Sequence, residues 1–272
     1  MKSLLLIFSF FTLLELHAQT AEEYIVKGNA KSKAADYKGA IDDYSMAIKL
    51  DPQSARAFHN RAIVKKNLKD YTGALADCNK AIEVGPAYKY SYDTRALLLQ
   101  MQGDYKAAIR DWDMAIQLDA ANADAYSFRG VARARLNDPK GGVSDLTTAI
   151  RLDSTNAYYY YNRAYFIMDL KKYQDALPDL NKAITLDANY RDAYFERGNV
   201  NYELNNHQAA ISDYTKAIEL RPDGSAYYWR GIEKMNTSDD KGACADFKEA
   251  TKLGYEISDK RALKCMKICV KG

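Results

Sequence analysis

The sequence predicts an all-α protein, a solenoid of seven helix pairs closed by a C-terminal capping helix. Three observations predict it. A motif recurs at intervals of 34 residues along the chain. Within each copy the apolar residues recur at spacings of three and four, the spacing of an amphipathic helix. Only five prolines and fourteen glycines occur in 272 residues, too few for a loop-rich or disordered chain.

In chain order, the first segment stands apart. MKSLLLIFSFFTLLELHA carries one lysine, an uncharged apolar run from Leu4 to Leu14, and a short stretch ending at Ala18. That layout predicts a secretory signal peptide over 1–18, cleaved after Ala18, with Leu16 tolerable at the minus-three position. The apolar run is short for a bilayer span, so no integral span is expected after cleavage. No cysteine stands at the cleavage point to carry a lipid anchor. The mature chain is therefore expected in a periplasm or outside the cell.

The repeats follow. AIDDYSMAIKLDP, ALADCNKAIEVGP, AIRDWDMAIQLDA, GVSDLTTAIRLDS, ALPDLNKAITLDA and AISDYTKAIELRP align, and ACADFKEATKLG makes a seventh copy with one residue missing near Gly224. The copies span 21–54, 55–88, 89–122, 123–156, 157–190, 191–223 and 224–257, and Ser258 to Val270 reads as an amphipathic cap for the open end of the stack. The fourth position of each copy is aromatic: Tyr24, Phe58, Tyr92, Tyr126, Tyr160, Tyr194 and Tyr227. The eighth is small: Gly28, Ala62, Ala96, Gly130, Ala164, Gly198 and Gly231. Small residues return at the twentieth and twenty-seventh positions, so two helices can approach closely while the ring fills the gap beside them. Pro52, Pro86 and Pro222 stop second helices. Pro139 and Gly142 are expected to weaken the second helix of the fourth copy.

These residues resemble the tetratricopeptide repeat (TPR) family from Ala21 to about Ile257. The resemblance implies a right-handed α-solenoid whose concave surface, lined by first helices, takes an extended peptide or a partner helix. It also implies a non-enzymatic scaffold or adaptor with no cofactor.

Where the family usually has leucine, at the seventh position, this chain has Lys27, Arg61, Arg95, Arg129, Arg163, Arg197 and Arg230. The twenty-third position is always aspartate: Asp43, Asp77, Asp111, Asp145, Asp179, Asp213 and Asp246. An arginine facing a helix interface needs a partner, because a lone buried charge is costly. The expected partner is the aspartate of the preceding repeat, in an inter-repeat ladder Asp43–Arg61, Asp77–Arg95, Asp111–Arg129, Asp145–Arg163, Asp179–Arg197 and Asp213–Arg230.

Groove-facing residues are expected at the second, fifth, ninth and twelfth positions, with the sixth nearby. They include Tyr90, Phe128, Tyr158, Tyr161, Asn162, Tyr165, Phe195, Asn199, Tyr202, Tyr228 and Trp229, with Asn29 and Asn60 in the early repeats. Rings supply contact area and amides bond a peptide backbone. Packing of the rings on neighbouring helices is the competing role. A carboxylate clamp of the chaperone-binding kind is incomplete: Asn29 and Asn60 match it, but Ile25, Tyr90 and Thr94 stand where bases should be.

Little points to chemistry. The mature chain has only His59 and His207, with no paired zinc-ligand spacing, phosphate loop or nucleophile elbow. With 39 basic and 36 acidic residues, a net +3 gives no reason to expect nucleic acid. Cys265 and Cys269 are one helical turn apart, a poor geometry for bridging each other. A link from Cys244 to either, or plain burial, stays open, and Cys78 reads as core. The expected partner is thus a protein or peptide of unstated identity. The alternative is a self-associating structural component of an envelope assembly, a homo-oligomer with no groove ligand.

Overall fold

A computed structural model describes residues 19–269, without the side chains of 268 and 269; the expected signal peptide and the end of the cap lie outside them. The described residues form fifteen α-helices and no strand. None of these helices is long and apolar enough to cross a membrane. The chain divides into two compact units, 1–94 and 95–272. The first holds α1 (Ala21–Lys33), α2 (Tyr37–Leu50), α3 (Ala55–Asn67), α4 (Tyr71–Val84) and the start of α5 (Lys89–Met101). The second continues with α6 (Tyr105–Leu118), α7 (Ala123–Arg135), α8 (Pro139–Leu152), α9 (Ala157–Asp169), α10 (Tyr173–Leu186) and α11 (Arg191–Glu203). It ends with α12 (His207–Leu220), α13 (Gly224–Asn236), α14 (Asp240–Lys252) and α15 (Lys260–Cys269). In the first unit α1 to α4, and in the second α6 to α15, each pack on their neighbours in sequence, the packing of an α-solenoid.

Local chemistry fixes each hairpin. Asp36, Asp70, Asp104, Asp138 and Asp239 cap second helices by accepting a hydrogen bond from the first-turn backbone, and Thr20 closes a capping box with Glu23 on α1. The residue before the N-cap of each of the seven second helices adopts a left-handed conformation: Ala35, Lys69, Gly103, Asn137, Lys171, Asn205 and Ser238, at φ between 58° and 84°. Only Gly103 does so without steric cost. Pro139 does not weaken α8. It occupies the first turn, where its missing N–H has no intrahelical role. Gly142 makes room rather than weakness, since a Cβ there would stand 2.9 Å from the Phe166 ring.

Three of the four glycines of the eighth position match large rings on the facing helix, while Gly130 meets the backbone of Gly142. A Cβ on Gly28 or Gly198 would come within 2.6 Å of Tyr44 or Tyr214, and one on Gly231 within 2.7 Å of Phe247. Where the eighth residue is alanine, as at Ala62 and Ala164, the facing residue is the smaller Cys78 or Leu180. In these hairpins, then, volume taken by one helix is given up by the other.

The arginines pair differently from the expected ladder. Arg61, Arg95, Arg129, Arg163, Arg197 and Arg230 each fork onto the aspartate of their own repeat: Asp77, Asp111, Asp145, Asp179, Asp213 and Asp246. The donating nitrogens, Nε and Nη2, lie 2.6 to 3.1 Å from the carboxylates. The reason is hairpin symmetry. The left-handed turn residue lies midway in sequence between the seventh and twenty-third positions, so the two meet across one antiparallel pair. The link between repeats uses the remaining nitrogen. Nη1 of Arg61, Arg129, Arg163, Arg197 and Arg230 donates to Ser45, Asp113, Thr147, Asn181 and Thr215 of the preceding repeat at 2.7 to 3.2 Å. Each of these guanidinium groups also lies over the ring of the fourth position, as Arg163 does over Tyr160 at 5.9 Å. In the first repeat Asp43 meets Lys31 instead, at 2.7 Å.

Helix α15 covers the end of the second unit by burying Ala262 and Cys265 against Ile232, Cys244 and Phe247. The Cys265 thiol reaches the Asp240 carbonyl oxygen at 3.6 Å. The Cys269 side chain lies outside the description.

Candidate functional site: two ring-lined clefts

Two adjoining clefts open on the first helices of the second unit. One, of about 390 Å³, is walled by Tyr165, Met168 and Asp169 of α9, Tyr173 of α10, Asn199, Tyr202, Glu196 and Glu203 of α11, and Trp229 of α13. The other, of about 370 Å³, lies between α7 and α9 and is lined by Val131, Ala134, Arg135, Tyr161, Asn162, Tyr165, Phe166 and Asp169. Tyr161, Tyr165 and Asp169 are four residues apart, one helical turn each, so they stand in a row on one face of α9. Tyr165 and Asp169 belong to both clefts.

The structure therefore brings together six of the sequence-selected residues: Tyr161, Asn162, Tyr165, Asn199, Tyr202 and Trp229. Tyr165 is 42 % exposed. Tyr202 and Trp229 meet edge to face at 5.1 Å. Tyr161 leans on Tyr190 at 5.0 Å, and burial raises its phenol pKa. Asn162 turns its amide back to the Tyr158 carbonyl oxygen of its own helix, at 2.7 Å.

The other five do not line these clefts. Phe128 stacks on the buried Trp112 at 5.4 Å and lies 6.4 Å from Tyr158. Phe195 packs on Tyr214 at 5.7 Å, under the Arg191 guanidinium. Tyr228 stacks on Tyr255 at 4.8 Å. Tyr90 belongs to the first unit and is 49 % exposed; its neighbours are Tyr88 and the ammonium of Lys89.

Sequence reasoning missed the carboxylates. Burial raises the Glu196 carboxyl above the ordinary glutamate range, against the hydrogen bond it accepts from Asn199 at 2.9 Å. Burial likewise raises Asp169, against the pull of Arg135. The only signals were a glutamate at the sixth position of one copy and an acidic thirteenth position in two adjacent copies, Asp169 and Glu203. Tyr159, which had no role in the sequence, is 2 % exposed in the core with Leu146 and Phe166, and its hydroxyl donates to Asp124 of the preceding repeat.

The first unit's equivalent face is different. Asn29 accepts from Tyr44 at 2.7 Å and from Asn60 at 3.0 Å. His59 is buried between Asn60 and Thr94, at 3.3 and 3.1 Å, with its ring 5.4 Å from Tyr88. His207 in the second unit meets the fully buried Glu233 at 3.0 Å.

Family models described as tetratricopeptide repeat or TPR repeat match residues 55–88, 98–137, 157–190 and 192–223. The chain belongs to the tetratricopeptide repeat family. Solved TPR structures share its fold. A TPR protein from Parabacteroides merdae is 18 % identical with a TM-score of 0.66, the match covering 93 % of this chain and all of that one. The C-terminal part of a TPR repeat-containing protein from Cytophaga hutchinsonii is 18 % identical with a TM-score of 0.69, over 89 % of this chain and 99 % of that one. YrrB, described as a TPR protein with an unusual peptide-binding site, is 21 % identical with a TM-score of 0.58, over 67 % and 94 %. No curated protein matches the chain.

Proposed function

We propose that this TPR protein is a non-enzymatic scaffold that holds an extended segment of a partner protein along the first-helix face of its second unit. The observation that carries the reading is the pair of clefts meeting at Tyr165, where rings and amides from α9, α11 and α13 converge. Rings in a partly open cleft give contact area at low entropic cost, and amides match a peptide backbone. The peptide-binding site that YrrB is described as having supports the same use of the fold. Phe128, Phe195 and Tyr228 serve this reading as packing behind the contact surface. The signal-peptide pattern of 1–18 supports action in a periplasm or outside the cell.

The test is capture of partners from envelope extract by wild type and by a Tyr161→Ala, Tyr165→Ala double variant. The expected result is loss of specific partners with the helical circular dichroism unchanged. Capture unaffected by both substitutions sinks the reading. Fractionation checks export: an intact leader on cytosolic protein would remove that part.

A further inference from the structure

The larger cleft has three carboxylates and no cationic side chain. Asp169, Glu196 and Glu203 line it beside the rings of Tyr165, Tyr202 and Trp229. Among the described residues Asp169 and Glu203 make no hydrogen bond or ion pair, and Glu196 accepts only the amide of Asn199. The nearest arginines are engaged elsewhere or lie to one side. Arg191 contacts Asp192 at 2.8 Å and Asp223 at 3.2 Å. Arg135 lines the neighbouring cleft.

This is unusual within the molecule. Every second-helix aspartate of the interior has an arginine or lysine within 2.6 to 2.7 Å. The cleft carboxylates lie nearer solvent, Asp169 and Glu203 exposed and Glu196 half-buried, and they feel Arg135 and Arg191 only at longer range, with no ion pair. Nor is the acidity a reflection of bulk charge, which is +3. Glu196 is half-buried and burial disfavours its ionised form, so a ligand cation beside it would offset that cost, with Asp169 and Glu203 adding negative charge to the same cleft. The rings add to the same preference, since a cation is attracted to the face of Trp or Tyr.

We infer that the larger cleft selects a lysine or arginine side chain of the bound segment, held between Asp169, Glu196 and Glu203 against the rings of Tyr202 and Trp229. The inference rests on the peptide-binding reading and adds to it the charge of the residue bound. An amine carried by a small molecule would offer the same cation without a backbone. The preference is assigned to a peptide because the cation pocket adjoins a second cleft, lined by Tyr161, that would take a neighbouring part of an extended segment.

The probe is an array of capped synthetic peptides in one serine–tyrosine background, with the central residue set to Lys, Arg, Gln or Glu. Free spermidine is included as a competitor. The expected result is that the full chain holds Lys and Arg peptides on the order of tenfold tighter than the Gln peptide, the scale of a charge-assisted contact. An Asp169→Asn, Glu196→Gln double variant binds the Lys, Arg and Gln peptides alike. A measurement on wild type alone guards against misfolding of that variant. Raising salt from about 0.05 to about 0.5 M should weaken the Lys peptide and spare the Gln peptide. Equal binding of Lys and Gln peptides, or a preference that survives the double variant, overturns the inference and leaves the groove reading standing. Spermidine retained with no peptide retained overturns it in favour of a small amine. Retention of no probe of any charge, with Tyr161→Ala and Tyr165→Ala also silent, overturns both.

Discussion

Helix α9 shows two faces with opposite chemistry. Toward α10 stands Arg163, with all three guanidinium nitrogens engaged and its plane over Tyr160, and beside it the fully buried Ala164. On its other face stand Tyr161, half-buried, Tyr165, exposed, and Asp169, a carboxylate with no hydrogen bond or ion pair among the described residues. The first face is nearly the same in every copy and the second differs in each. The difference separates the two tasks of a repeat. Groups that fix the hairpin satisfy one another, so they can be copied. Groups on the open face, which the proposed function assigns to a ligand, are not held by the hairpin, so each copy can change them without disturbing the stack.

The sharpest way to break this division is to injure the satisfied face. Arg163→Ala leaves Asp179 buried with no counter-charge, and a loss of about 3 kcal/mol is expected, the usual scale for breaking a buried pair from one side. Urea denaturation reads it as a lower midpoint. Replacing both partners, Arg163→Met with Asp179→Leu, should recover most of the loss, since a packed apolar pair can equal a buried ion pair. A single variant as stable as wild type would mean that the fork contributes nothing and that its recurrence has another cause.

A second test of the same face uses volume. A Cβ on Gly198 would lie 2.6 Å from the Tyr214 ring, so Gly198→Ala forces the ring aside and strains its 2.8 Å hydrogen bond to Asn199. About 1–3 kcal/mol of destabilisation is expected from overpacking of this kind. Adding Tyr214→Leu recreates the Ala164–Leu180 combination of the fifth repeat and should restore much of the stability. Failure of that rescue would show that the tyrosine's hydrogen bond matters more than its volume.

The open face should respond in the opposite way. Tyr165→Ala removes an exposed ring, so stability should shift by no more than about 0.5 kcal/mol while partner capture falls. Glu196→Gln should raise the thermal midpoint at neutral pH. The glutamate's carboxyl is pushed up by burial, so its ionised form is the costly one, and the amide keeps the shape without the charge. A drop in midpoint would mean that the carboxylate is neutralised within the fold, and the contrast between the faces would fail.

How much of this was legible in the sequence follows from the same division. The stacked helix pairs were legible because Arg163, Ala164 and Tyr160 recur in register with their counterparts, and a repeated constraint survives in a single sequence. The pairing of the arginines was misread. A strict period gives the same residue types whether position seven meets position twenty-three of its own copy or of the one before. Only the turn, midway between Arg163 and Asp179 at Lys171, decides it. On the open face, Tyr161 and Tyr165 were legible as large rings at helical spacing. Asp169 and Glu196 were not, because a lone carboxylate on a helix looks like an ordinary solvated charge until the fold shows which cleft it lines and that no ion pair holds it. Tyr159 was lost for the converse reason: its partner Asp124 lies a whole repeat away, at a position of no fixed type.

The smallest expected effect sharpens the contrast between the two units. In the first, polar groups that occupy groove positions bond to one another, with His59 between Asn60 and Thr94, Tyr88 against its ring, and the Tyr90 backbone and Lys66 nearby. Burial lowers the His59 pKa below 6.5, against the hydrogen bond to Asn60, so the imidazole is neutral in the fold at pH 7. The folded state then binds fewer protons at this site than the unfolded chain. Stability is intact above pH 6.5, falls as pH drops through that value, and stops falling once the pH passes the folded pKa. An NMR titration of the His59 ring, set beside urea midpoints for wild type and His59→Asn across the same range, measures both halves. The wild type should lose stability between neutrality and the folded pKa, and the variant should lose less. A His59 that titrates at or above 6.5 would mean that water reaches this network, and that the first unit keeps an open polar face of its own.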